Sequence, residues 1–63
     1  MDIRRRVGQN VAELRRERAL TQEEVAYRAA LNQTYLSDIE RGKRNPSLLV
    51  LDRIARALAL AAR

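Results

Sequence analysis

Cysteine, histidine, tryptophan and phenylalanine are all missing from this 63-residue chain, which holds only two tyrosines, two glycines and one proline. Each gap closes an option. Without Cys no disulfide can staple the fold, and without Cys or His the usual zinc ligands are gone. The absence of His removes the one side chain whose ordinary pKa suits a general base near neutrality, and the absence of Cys removes a thiolate nucleophile. No Gly-rich phosphate loop and no metal-spaced acidic cluster is present either. Catalysis, a metal, a cofactor and a small-molecule ligand are therefore not expected. No apolar run approaches the roughly 20 residues of a membrane span, and the charged N-terminus is unlike a signal peptide, so a cytoplasmic protein away from membranes is expected.

What is present is charge and aliphatic residues. Thirteen Lys and Arg against eight Asp and Glu leave a net charge of +5, a balance that suits a polyanionic partner. The whole chain, 1–63, reads as one domain near the lower size limit for a stable core, where folding buries only about 60% of the surface. With disulfides and metals excluded, a partner or a second copy is the remaining staple. The core must be built from Leu, Val, Ile and Ala. Val7, Val11 and Leu14 form one stripe at helical spacing, Val25, Ala26 and Ala29 a second, Leu36 and Ile39 a third, and Leu51, Ile54, Ala55 and Leu58 a fourth. No stretch alternates with period two, so the expected class is all-α.

The helix boundaries are chemically marked. Thr21 followed by Glu24 is a capping box: the Thr hydroxyl accepts from the Glu24 amide while the carboxylate reaches back to the Thr21 amide. Asn32 suits the cap of the next helix, Gly42 its left-handed exit, and Ser47 the cap of the last, after an Asn45-Pro46 step held extended. Four helices are expected at about 2–18, 22–29, 33–41 and 48–60.

The segment Thr21–Pro46 places two short amphipathic helices either side of a tight turn and ends in a basic loop. It resembles the helix-turn-helix of the Cro/C1-type (XRE) transcriptional regulators, a group that includes phage repressors and the controller proteins of restriction-modification systems. Leu20, Thr21, Gln22, Glu23, Val25, Ala26, Leu31, Leu36, Ile39, Glu40, Gly42, Lys43, Pro46, Leu51, Ile54, Ala55 and Leu58 carry the match. The resemblance implies a compact four- to five-helix lambda-repressor-like DNA-binding domain with its helix-turn-helix at about 22–41. It also implies a sequence-specific regulator of transcription on double-stranded DNA, with repression the expected mode. Two departures stand out. Ala30 occupies the turn position where the family usually carries a left-handed Gly, at a cost on the order of 1 kcal/mol. Ala57–Ala62 replaces the glycine and short fifth helix that commonly follow, so either helix four continues or the segment was trimmed or redesigned.

If Leu36 and Ile39 face the core, the 100° step turns Gln33, Thr34, Ser37, Asp38 and Arg41 outward. Gln pairs bidentately with adenine, Thr and Ser donate or accept, and Asp accepts from the cytosine amino group. Gln33, Thr34, Ser37 and Asp38 are therefore the candidate base readers, against the bland reading of a solvated polar surface; the resemblance places Gln33, Thr34 and Asp38 at base-edge positions. Asp38 has a second reading as an ion-pair partner of Arg41. Gln22, Asn32, Tyr35, Arg41, Lys43, Arg44 and Asn45 are candidate contacts to the DNA backbone. Gln22 lies at a helix start that favours anions, and Tyr35 has the alternative of packing on a neighbouring helix, as Tyr27 is expected to do. By resemblance, Arg15 and Glu40 form a structural ion pair between helices one and three; the alternative is two unrelated exposed charges. Arg4, Arg5 and Arg6 put cations where the helix dipole disfavours them and either approach flanking phosphates or aid solubility.

A regulator of this type is expected to pair as a homodimer on a two-fold operator, with half-sites roughly 34 Å apart. Its pairing patch is expected in the loop after helix four and near Leu49, Val50, Leu58 and Leu60. The competing class is a protein-interaction or antitoxin-type helical module that binds a partner polypeptide. It predicts tight partner binding and weak binding to DNA.

Overall fold

The computed structural model describes residues 2–60, the side chain of Leu60 excepted. Four helices follow one another: α1 (Ile3–Glu17), α2 (Gln22–Arg28), α3 (Gln33–Glu40) and α4 (Leu48–Leu60), with no strand among the described residues. Each helix start is capped by a side-chain oxygen. Thr21 Oγ1 accepts from the Glu24 amide at 3.0 Å while Glu24 Oε1 accepts from the Thr21 amide at 2.9 Å, the reciprocal pairing that satisfies two otherwise orphaned donors. Asn32 accepts from the Thr34 amide at 2.7 Å and Ser47 from the Val50 amide at 3.1 Å. Asp2 caps α1, a role not expected of it, and also holds the Arg4 guanidinium at 3.1 Å. That carboxylate offsets the cationic first turn.

The exits of α1, α2 and α3 share one construction. The amides of Leu20, Leu31 and Lys43 bond back to the carbonyls of Arg15, Ala26 and Asp38, and those of Ala19, Ala30 and Gly42 to Arg16, Tyr27 and Ile39. This is the paired Schellman pattern, which requires a left-handed residue just past the helix. Ala19 at φ 55°, Ala30 at φ 56° and Gly42 at φ 78° supply it. Ala30 therefore adopts the strained conformation expected of it, and Ala19 adds a second such site that was not foreseen.

Val11, Val25, Ala26, Ala29, Leu36, Ile39, Ile54, Ala57 and Leu58 form the buried core. Two stripe members fall elsewhere: Leu14 is 40% exposed and Ala55 is exposed, while Ala57 takes the inward position on α4. On that helix Ile54, Ala57 and Leu58 follow the i, i+3, i+4 spacing that Ala55 breaks. Leu58, expected in an exposed pairing patch, is 5% exposed and belongs to the core. Gly8 brings α1 close to the end of α3, because a Cβ there would lie 2.2 Å from the Ile39 carbonyl oxygen. α4 runs on through Ala59 to Leu60, so the helix continues where the family commonly has glycine. Ala61, Ala62 and the loop expected after helix four lie outside the described residues, as does the side chain of Leu60.

Candidate nucleic-acid interface

α3 has one face inside the protein and one outside. Leu36 and Ile39 are fully buried, and the helical step from them leaves Gln33 and Thr34 exposed and Ser37 and Asp38 half-buried at the margin. An eight-residue helix is roughly 12 Å long, a length that matches the width of a B-DNA major groove. The Asn32 carboxamide oxygen is committed to the cap; its amino group is left to donate.

At the far end of α3 the contacts differ from the Asp38–Arg41 pair that was the second reading of Asp38. Arg41 Nη2 donates to Ser37 Oγ at 3.0 Å, the i, i+4 neighbour on a helix. Asp38 instead meets Arg44, with Oδ2 4.0 Å from Nε, and the same guanidinium carbon lies 5.1 Å from the Tyr35 ring centroid. The loop turns back after Gly42 and lays Arg44 over α3, which puts it nearer Asp38 than Arg41 is. Tyr35 is half-buried and packs against the core on one side while Arg44 lies over its ring. Lys43 and Asn45 are exposed beside them, and Tyr27 on α2 is 86% exposed, away from the packed position expected of it.

Beneath this surface lies a hydrogen-bonded network that ties α1, α2 and α3 together. Arg15 Nε and Nη2 donate to Glu40 Oε2 and Oε1 at 2.8 and 3.1 Å, and its Nη1 donates to the Leu20 carbonyl at 2.8 Å. The two side chains are 12% and 5% exposed, so a bidentate pair is held largely out of water, where its geometry must be good to offset desolvation. Gln22 Nε2 adds a bond to Glu40 Oε1 at 2.9 Å. One amino hydrogen of Gln22 is thus turned inward, leaving its second hydrogen and its carbonyl for an outside ligand.

Two further cations, neither singled out from the sequence, complete the framework. Arg53 on α4 donates through Nε to the Ala29 carbonyl at 2.8 Å and through Nη2 to the Ala30 carbonyl. Arg18 donates to the Leu58 carbonyl at 3.1 Å and ties the end of α1 to α4. A signal existed for Arg53: it precedes Ile54 at the edge of a buried stripe, and a left-handed alanine in the turn called for support from somewhere. At the start of α2 the Thr21 amide, and then its hydroxyl, hold the Glu24 carboxyl below its usual range. The Arg4 guanidinium and amide do the same for Asp2.

A sequence model of the helix-turn-helix family matches residues 11–62. The chain belongs to that family. Its relatives bear out the Cro/C1-type resemblance. The chain is 53% identical over 60 residues to the HTH-type transcriptional regulator y4dJ of Sinorhizobium fredii, spanning 95% of this chain and 78% of that one. It is 42% identical over 60 residues to the control protein C.BamHI of Bacillus amyloliquefaciens, spanning 94% and 74%. Among solved structures, the restriction-modification controller protein C.AhdI of Aeromonas hydrophila superposes with a TM-score of 0.90 at 36% identity over 94% of this chain and 89% of that one. No helix among the described residues is long and apolar enough to cross a membrane.

Proposed function

We propose that this helix-turn-helix protein, read as one such domain along its length, is a sequence-specific DNA-binding regulator of transcription that inserts α3 into the major groove of double-stranded DNA. One observation carries the reading: a single short helix buries Leu36 and Ile39 completely while Gln33 and Thr34 stand exposed on its other face. Gln33, Thr34, Ser37 and Asp38 are the groups offered to base edges. Gln22, Asn32, Tyr35, Arg41, Lys43, Arg44 and Asn45 are the groups offered to phosphates. The kinship with transcriptional regulators and controller proteins supports the same reading.

Repression follows where the site overlaps a promoter. Two copies on a two-fold site, their reading helices one DNA turn or roughly 34 Å apart, are the arrangement that suits the motif. Leu49 of the expected pairing patch is 67% exposed, and its chain neighbour Leu48 is 85% exposed. Selection of bound fragments from random duplex DNA, followed by titration at two salt concentrations, tests the proposal. Enrichment of one two-fold sequence, with affinity falling by a log–log slope of about −0.9 per phosphate neutralised, is expected. Gln33→Ala should then relax preference at one base pair at a cost of about 1–3 kcal/mol. Recovery of unenriched sequence at every salt concentration rejects the reading.

A further inference from the structure

We propose that Arg53, on α4 and outside the helix-turn-helix, is a positioning residue for DNA recognition: its guanidinium latches the turn between α2 and α3 and so fixes how α3 is presented. The inference rests on the DNA-binding reading above. Three of the last carbonyls of α2 receive backbone amides that follow the helix. Val25 receives the Ala29 amide at 2.8 Å, Ala26 the Leu31 amide at 2.8 Å and Tyr27 the Ala30 amide at 3.1 Å. The next carbonyls to find a donor, those of Ala29 and Ala30, are taken by Arg53 Nε and Nη2.

Two adjacent carbonyls meet two donors of a rigid planar fork, an arrangement that a lysine ammonium cannot reproduce. The latched residue is the one in strained backbone: Ala30 lies at φ 56°, where a side chain opposes the conformation and an extended alternative is always available. A change of torsion at Ala30 swings everything after it, and Gln33 opens α3 just beyond. Groups that read bases must be held within roughly 0.5 Å of their working geometry, so the latch acts on recognition without touching DNA. The cation also lies at the negative end of the α2 dipole.

The test uses the duplex recovered by selection against the unaltered protein, with Arg53→Met, Arg53→Lys and the double variant Arg53→Met/Ala30→Gly. Each is measured at a temperature where circular dichroism shows it fully folded. The latch predicts that Arg53→Met weakens binding about tenfold, the scale of losing hydrogen bonds from a charged donor. The salt slope stays unchanged, and the added Ala30→Gly restores much of the loss because glycine holds the turn unaided. Unchanged affinity in folded Arg53→Met overturns the proposal, and so does a slope shallower by about 0.9, which marks a direct phosphate contact. Should Arg53→Met fail to fold, Arg53→Lys keeps the charge and loses the fork, and the same loss of affinity is expected of it. Hydrogen exchange at the Leu31 amide separates this proposal from the functional one. Faster exchange in Arg53→Lys supports the latch even if the unaltered protein selects no duplex, and unchanged exchange overturns it.

Discussion

The turn leading into α3 and the loop leading out of it use the same hydrogen-bond pattern, yet one places alanine at the left-handed position and the other glycine. The neighbours explain the difference. Ala30 is exposed, so its methyl meets only the torsional penalty, and Arg53 secures the carbonyls on both sides of the strained bond. Gly42 has no such room: a Cβ there would lie 2.9 Å from the Arg5 Cα and 3.2 Å from its backbone nitrogen. The exit of α1 repeats the first solution, with Ala19 left-handed and exposed and the adjoining Leu20 carbonyl held by Arg15. A left-handed residue in this fold must therefore be glycine where another backbone passes close. Where solvent lies outside and an arginine anchors the carbonyls, alanine serves.

The strongest way to break this comparison is to remove the arginine that joins the exit of α1 to the end of α3. Arg15→Met leaves Glu40 buried without its cation and frees the Leu20 carbonyl, and a loss of about 3–5 kcal/mol is expected. A domain of this size shifts its melting temperature by roughly 4–8 °C per kcal/mol, so the midpoint should fall by tens of degrees. A drop of only a degree or two would mean that the pair is solvated in solution.

The glycine side of the comparison is tested next. Gly42→Ala must both adopt a left-handed backbone and push Arg5 aside, and about 2–4 kcal/mol of destabilisation follows from the two penalties together. If thermal unfolding shows a loss no larger than the torsional penalty alone, α1 yields and the close approach is soft. The alanine side predicts the opposite sign. Ala30→Gly relieves the strained torsion at an entropic cost in the unfolded chain, and a net gain of about 0.5–1 kcal/mol is expected. A lower melting temperature would show that the methyl group makes a contact worth more than the strain.

How much of this was legible in the sequence depends on the range of the interaction. The capping box at Thr21 and Glu24, the Asn32 and Ser47 caps and the left-handed Gly42 are set by residues within a few positions of one another, and the residue types state them openly; the left-handed turn at Ala30 is legible only through the family resemblance, because alanine itself does not mark it. The burial of Leu36 and Ile39 followed from helical period, and with it the outward direction of Gln33 and Thr34. Arg18 and Gly8 were silent, and Arg53 was marked only by its place beside a buried stripe, because each acts across the fold, on a carbonyl or backbone more than twenty residues away. The ion-pair alternative for Asp38 is met by a different cation for a related reason: helical spacing points to Arg41, whereas the reversal after Gly42 delivers Arg44. Leu14 and Ala55 satisfied a local stripe whose true centre only the packing of α1 and α4 defines.

The smallest effect concerns the opposite end of α2, where its start is fastened rather than its exit. Glu24 bonds the Thr21 amide as a carboxylate, so its folded-state pKa lies below the ordinary 4.5. A depressed carboxylate contributes stability that is complete above the ordinary value and is lost as pH falls through the lower, folded one. The acid limb of the stability profile should therefore begin as pH drops below about 4.5 and steepen beneath it. Asp2 shifts in the same direction through Arg4, so the limb has contributions from two helix starts. Glu24→Gln keeps a carbonyl that can reach the Thr21 amide but cannot titrate. It should flatten part of the limb while lowering neutral-pH stability only slightly. An acid limb identical in Glu24→Gln and the unaltered protein would remove the capping box from the pH response and leave Asp2, or groups elsewhere, to explain it.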